Sequence, residues 1–213
     1  ETFFVTDENF KPAEFMHFCS QMLVKEPKNG LTEEELESGD YGQIKDEQEQ
    51  VGGKKKSQAP CMVLFCAFEQ LNYYIELGHR YGFKHYIPLV FYKNFSPQVL
   101  KANMKIVGNC EYGLVLYKDK LPKFNNNGRM IFNAIPYPRD TETIKVHPTQ
   151  KSVPLLRYLI ELFTDKGDVV IDPCAGSGST LLASAQCGRR AYGFEIKKDF
   201  CKLAREKVLS NIQ

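Results

Sequence analysis

Nine residues, Asp172-Pro173-Cys174-Ala175-Gly176-Ser177-Gly178-Ser179-Thr180, constrain this chain more than any other stretch. The short run 168–171 before them predicts a buried strand, and Leu181 to Cys187 after them predicts the start of a helix. Strand, glycine-rich turn and helix form the corner where open α/β sheets hold nucleotide-like ligands. Two glycines let the backbone approach a ligand without Cβ interference. The next predicted strand, Ala191 to Ile196, ends near Glu195, an acid placed to accept hydrogen bonds from two ribose hydroxyls.

Three ligands compete for such a corner. A P-loop needs four residues between its glycines and a Lys-Ser/Thr behind them. Gly176 and Gly178 are two apart with no lysine following, which excludes ATP bound in that manner. A dinucleotide fingerprint needs a third small residue three places after Gly178, where Leu181 stands, so NAD fits poorly. S-adenosylmethionine has a ribose for Glu195 and no phosphate, so it needs no full phosphate nest.

The rest of the chain alternates helix and strand signals. Pro12 suits a first helical turn, and Ala13, Phe15, Met16, Phe18, Cys19, Met22 and Leu23 recur at helical spacing over 12–24. Cys61 to Phe68 is nearly all apolar and predicts a strand buried on both faces of a parallel sheet. A helix over 70–81 is stopped by Gly82. A strand over 85–92 contains Pro88, which suggests an edge or a bulge. A third strand is predicted over 112–117, and helices over 153–163, 179–187 and 198–209. Strands alternating with helices predict an α/β fold with a mostly parallel sheet in one domain over 1–213. Residues 25–59, polar and acidic, predict a mobile insertion.

No apolar run approaches the ~20 residues needed to span a bilayer, so no membrane association is expected. The seven cysteines form no Cys-x-x-Cys pair and several lie in apolar runs. They read as small hydrophobes of a reduced, intracellular protein, without metal-ligand spacing. The net charge is only +2 but uneven. Residues 30–50 hold eight acids against Lys45, and residues 80–130 hold nine bases against Glu111 and Asp119. Such asymmetry suits a polyanion on one face, though it also suits an ordinary solvated surface.

Asp-Pro-x-x-Gly-Ser-Gly-x-Thr at 172–180, followed by Gly193-Phe194-Glu195-Ile196 and preceded by His147-Pro148-Thr149-Gln150-Lys151, resembles the amino-methylating DNA methyltransferases. These modify adenine N6 or cytosine N4. The order of motifs is similar to the subgroup whose cofactor motif lies C-terminal to its catalytic motif, and the resemblance spans roughly residues 12–24 and 60–210. It implies a Rossmann-like methyltransferase sheet of seven strands, with S-adenosylmethionine as cofactor. It implies that Asp172 binds the methionine amino group and that Pro173, Cys174, Ala175, Gly176, Ser177, Gly178 and Ser179 wrap the methionine part. Glu195 would clamp the ribose hydroxyls and Ile196 would pack on adenine. Thr149, Gln150 and Lys151 would close the pocket. Ser152 departs from the proline usual after Lys151, with Pro154 close by.

The resemblance also implies an Asp-Pro-Pro-Tyr-type string that hydrogen-bonds and stacks a flipped-out base. The sequence contains none. The nearest string, Thr6 to Phe10, keeps an acid and an aromatic but lacks both prolines. Either the string precedes Glu1 or Asp7 to Phe10 is a degenerate remnant. Only five of seven strands are identifiable, and those absent are the ones encoded first. The first explanation covers both absences, and predicts an open edge beside strand 168–171.

Double-stranded DNA is the implied partner; the sequence does not say which base is methylated, and adenine N6 is taken as the target on prior alone, while a homodimer and a restriction-modification partner are left open. The recognition region falls in the loops of 93–146, where Lys93, Asn94, Lys101, Lys105 and Arg129 are the candidate contacts. Lysines suit phosphates, while arginine and asparagine suit base edges. Cytosine N4, a non-catalytic relative, and RNA or protein substrates are the alternatives. The resemblance implies a cytoplasmic bacterial protein, or a phage one in a bacterial host.

Overall fold

The computed structural model describes residues 10–23, 50–51, 54–55, 59–95, 98–147, 149–210 and 212. The predicted insertion 25–59 lies outside these residues, apart from a two-residue ladder pairing Gln50–Val51 with Lys54–Lys55 and the bridge residue Ala59. Thr6 to Asn9 lie outside them too.

Helix α1 (Pro12–Met22) is followed by β1 (Met62–Cys66), α2 (Leu71–Arg80) and β2 (His85–Tyr92). Then come β3 (Gln98–Lys101), β4 (Ile106–Gly108), β5 (Cys110–Tyr117) and β6 (Ala134–Pro136). Helix α3 (Val153–Phe163), β7 (Val169–Asp172), α4 (Ser179–Gln186), β8 (Arg190–Gly193) and α5 (Lys198–Leu203) complete the order. A π-turn over Ala204–Val208 extends α5.

The main sheet has four strands in the order β1-β5-β2-β6. Strand β5 runs antiparallel to both neighbours, and only β2 and β6 pair in parallel. The expectation of a mostly parallel sheet is therefore corrected. Apolar runs buried on both faces report two covering layers, and those layers cover a mixed sheet equally well. Inserting β5 between β1 and β2 reverses one strand without changing its pattern. Pro88 lies where β2 has β5 on one side but not yet β6, whose ladder starts at Val90. The register against β5 continues through it without a bulge.

Alternation along the strands fills two cores. Leu64, Leu114 and Leu116 face α1 and α2, meeting Met16, Cys19, Tyr74, Leu77 and Phe83. Val115, Leu89 and Phe91 face α3, meeting Leu155 and Leu159. Gly113 is required at the crossing, since a Cβ there would lie 2.8 Å from the Leu64 carbonyl. The opposite face of α3 (Val153, Leu156, Ile160) packs on Ala183 of α4 and on Cys187, which caps its end, with Phe65 and Val170 against it. Leu155, 1% exposed, is the pivot of this layer; its truncation to alanine costs about 2–5 kcal/mol.

Strands β7 and β8 form a separate parallel pair. Among the described residues β7 pairs only with β8 and β1 only with β5, so each has an edge without a strand partner. Among the described residues this agrees with the open edge expected beside 168–171. Helix α3 bridges the two sheets, packing on both Phe65 and Val170.

Candidate functional site

The glycine corner begins where β7 ends. Asp172 Oδ1 accepts the Cys174 amide at 3.0 Å, turning the chain out of the strand. Gly176 (φ 50°) and Gly178 (φ 79°) take left-handed conformations. Those conformations strain residues with a Cβ. Gly178 is the N-cap of α4 and has no side chain to cap it. The buried Ser177 and Ser179 hydroxyls instead bond each other at 2.7 Å.

Strand β8 stops at Gly193, earlier than the predicted Ile196. One further ladder bond forms, from the Phe194 amide to the Asp172 carbonyl at 2.9 Å, while the Ala175 amide returns to the Phe194 carbonyl at 2.9 Å. The chain then turns, because Glu195 takes backbone donors itself. Its Oε2 accepts the Gly176 amide at 2.9 Å and its Oε1 the Lys197 amide at 2.8 Å. Gly193 permits this closeness: a Cβ there would meet Leu181 Cδ1 at 2.6 Å and the Ala175 Cβ at 2.9 Å. Ile196 beside it is 77% exposed. The corner thus presents a carboxylate, backbone donors and an uncovered apolar side chain.

Residues 144–147 and 149–152 lie between this corner and the main sheet. His147 packs its ring on Phe200 at 4.5 Å and feels the charge of Glu195. Its Nδ1 accepts the Thr149 amide at 3.2 Å and lies 3.0 Å from the Thr149 hydroxyl. Burial lowers the His147 pKa, and the Lys197 charge adds to this against the opposing pull of Glu195. The neutral ring, with Nδ1 as acceptor, fits that direction. The Gln150 side chain is spent on its own loop, donating to the Ile144 carbonyl at 3.1 Å and accepting the Val146 amide at 3.0 Å.

Lys151 turns to the other sheet. Its Nζ donates to Glu111 Oε2 at 2.5 Å and sits 4.9 Å above the Phe65 ring. Glu111 also takes Lys93, whose ammonium lies 4.5 Å above Tyr137. Burial works against the charge of Glu111, but the two lysines outweigh it and hold its pKa below the usual carboxylate range. Ser152 caps α3, and its own amide donates to the Tyr137 hydroxyl at 3.0 Å. Asp140 accepts the Val153 amide at 3.0 Å.

The five basic and polar candidates at 93–129 separate in space. Lys93 and Asn109 exchange two bonds, amide to carbonyl at 2.8 Å and side chain to carbonyl at 2.9 Å. These close the neck of the β3–β4 hairpin at the carboxyl ends of β1 and β2. Lys101 and Lys105 lie on this hairpin and are exposed, as is Asn94 at its base. Arg129 lies elsewhere. Its turn follows Asn125, which binds the carbonyls of Glu161 and Thr164 at the far end of α3. Helix α3 has 11 residues, so this end is ~16 Å from the end that carries Ser152.

Sequence reasoning missed Glu111, the residue that gathers Lys93 and Lys151. It sits alone amid apolar neighbours at the start of β5, a position where an acid calls for a partner. It missed the β3–β4 hairpin as well, whose Gln98–Lys101 and Ile106–Gly108 segments are too short to show a period.

Fold and corner together define an α/β domain with a nucleotide-type site at the carboxyl ends of its parallel strands. The sequence profile described as DNA methylase (N6_N4_Mtase) matches residues 16–206, and the chain belongs to that family. The chain is 28% identical over 147 residues to a protein described as putative methylase YubD of Escherichia coli K12, 69% of this chain and 61% of that one. It is 31% identical over 98 residues to DNA adenine methyltransferase YhdJ of the same organism, 45% of this chain and 33% of that one. The chain thus spans less than two thirds of either relative. The structure of an M1.HpyAVI–SAM complex superposes with a TM-score of 0.59 at 27% identity, covering 70% of this chain and 74% of that one. The cytosine-N4-specific PvuII DNA methyltransferase shares the fold at TM-score 0.53 and 16% identity, covering 68% of this chain and 62% of that one. Among the described residues no helix is long and apolar enough to cross a membrane.

Proposed function

We propose that this chain is the cofactor-holding part of an S-adenosylmethionine-dependent methyltransferase that acts on the exocyclic amino group of adenine in duplex DNA. The observation that carries the reading is the corner itself, where Glu195 is locked to the Gly176 amide beside the exposed Ile196. Each Glu195 oxygen takes one backbone donor and retains a lone pair for a ribose hydroxyl. Ile196 offers an apolar surface to an adenine ring. Asp172 uses Oδ1 within the turn, and a cationic amino group suits its second oxygen. Backbone of Cys174 to Ser179 would surround the remainder. No residue here demands a phosphate, which agrees with a sulfonium ligand. When bound, that ligand supplies an activated methyl group.

Duplex DNA is the substrate that the basic hairpin favours, with Lys101 and Lys105 exposed on it. Adenine N6 is the target we adopt, and YhdJ, matched over 98 residues, is described as an adenine enzyme. Cytosine N4 is the alternative within the same chemistry. A further reading is a non-catalytic cofactor- and DNA-binding relative. Incubating the full-length protein with duplex DNA and methyl-labelled cofactor, followed by nucleoside analysis, tests all three. Label in N6-methyladenine supports the proposal, label in N4-methylcytosine moves the target, and cofactor binding without label in DNA supports the non-catalytic reading. The setting we infer is the cytoplasm of a bacterium.

A further inference from the structure

We propose that Glu111 is a positioning residue: through Lys151 it anchors the strap of residues 149–152 to the main sheet, and so sets His147, at the strap's other end, beside the cofactor corner. The strap has two docks. At one, His147 packs its ring on Phe200 of α5, just past the corner, and its Nδ1 accepts the Thr149 amide. At the other, Lys151 donates to Glu111 at 2.5 Å over the Phe65 ring, while the Ser152 amide holds the Tyr137 hydroxyl. The two β-sheets share no strand pairing among the described residues. Besides α3, this strap joins the cofactor-side pair to the four-stranded sheet.

The chemistry of the second dock suits a fixed joint. Glu111 is 25% exposed, Lys151 33% and Lys93 21%. Two cations on one carboxylate, with aromatic rings beneath both ammonium groups, leave little freedom to any of the three. Glu111 also reaches the hairpin neck through Lys93, whose amide and carbonyl are bound to Asn109. One carboxylate therefore ties the basic hairpin, the strap and the start of β5 together. Removing its charge would leave two lysines side by side without a counter-charge, and their repulsion would push the strap off the sheet.

The inference rests on the cofactor reading above, and two measurements keep the two apart. Hydrogen exchange on the ligand-free full-length chain reads the strap, while calorimetric titration with S-adenosylmethionine reads the pocket. Glu111→Gln is expected to speed exchange at residues 150–152 with β5 still protected, and to weaken cofactor binding by about tenfold, the scale of a charge-assisted hydrogen bond. Lys151→Gln, at a partly exposed position, is expected to do the same. Because both act through one ion pair, the double variant is expected to lose no more than the worse single. Lys84→Met removes an exposed pair with Asp119 away from the strap and is expected to match wild type. Unchanged exchange in Glu111→Gln overturns the proposal, as does a double variant whose loss is the product of the two singles. A wild-type chain that binds no S-adenosylmethionine sinks the cofactor reading, and exchange then decides the anchoring by itself.

Discussion

The carboxylate of Glu195 receives the amide of Gly176 at 2.9 Å, joining the end of one strand to the turn that follows its neighbour nineteen positions away. This bond holds the acid and the glycine turn as one rigid corner. Replacing Glu195 with glutamine keeps an acceptor oxygen but removes the charge. A charge-assisted hydrogen bond contributes about 1.5–3 kcal/mol, so affinity for S-adenosylmethionine should fall by roughly ten- to a hundredfold. Titration calorimetry measures it, and an affinity within twofold of wild type would falsify the assigned role.

Gly193 tolerates no side chain. A Cβ would stand 2.6 Å from Leu181 Cδ1 and 2.9 Å from the Ala175 Cβ. Gly193→Ala is expected to destabilise the fold by about 1–3 kcal/mol through overpacking, with Tm falling ~2–4 °C per kcal/mol. Cofactor affinity should drop with it, since the displaced atoms belong to the corner. Thermal unfolding that matches wild type would contradict the packing described here.

Acid should loosen the strap. The His147 pKa lies below its ordinary 6.5 because burial disfavours the imidazolium, and Nδ1 serves as an acceptor for Thr149. With the folded pKa depressed, the unfolded chain binds the proton more tightly. The stabilising contribution is full above pH ~6.5 and is lost as pH falls from there through the folded value. Glu111 adds a second loss beginning lower, below its ordinary 4.5, because its pKa is also depressed. Between pH 7 and 5, Tm of wild type should decline more steeply than Tm of His147→Gln. Parallel curves would remove His147 from the account.

DNA affinity should depend on the hairpin and not on Arg129. Lys101→Ala combined with Lys105→Asn removes two cations; asparagine is chosen because Lys105 has φ 55° and asparagine tolerates that region. If both contact phosphates, the slope of log affinity against log salt should become shallower by ~0.9 for each. Arg129→Ala, at the far end of α3, should leave the slope unchanged. Equal effects from both changes would mean that DNA covers both edges of the sheet.

How much was legible followed from how local each cause is. The corner 172–180, its flanking strand and helix, and the acid at 195 are set by glycine conformation and apolar runs over a few residues, so the sequence alone determined them. The same holds for α1, for β2 over 85–92 and for α3, whose patterns match their burial. Strand direction was not local: β5 enters between β1 and β2 in reverse, and its apolar pattern is the same either way up. The motif around Lys151 is local, but its pairing with Glu111, forty positions distant, has no local signal. Arg129 and Lys101 look alike in a basic stretch, and only the docking of Asn125 on the end of α3 separates them. Residues that touch their sequence neighbours can be read in order. Partners chosen across sheets depend on chain packing, because an ion pair has no spacing rule.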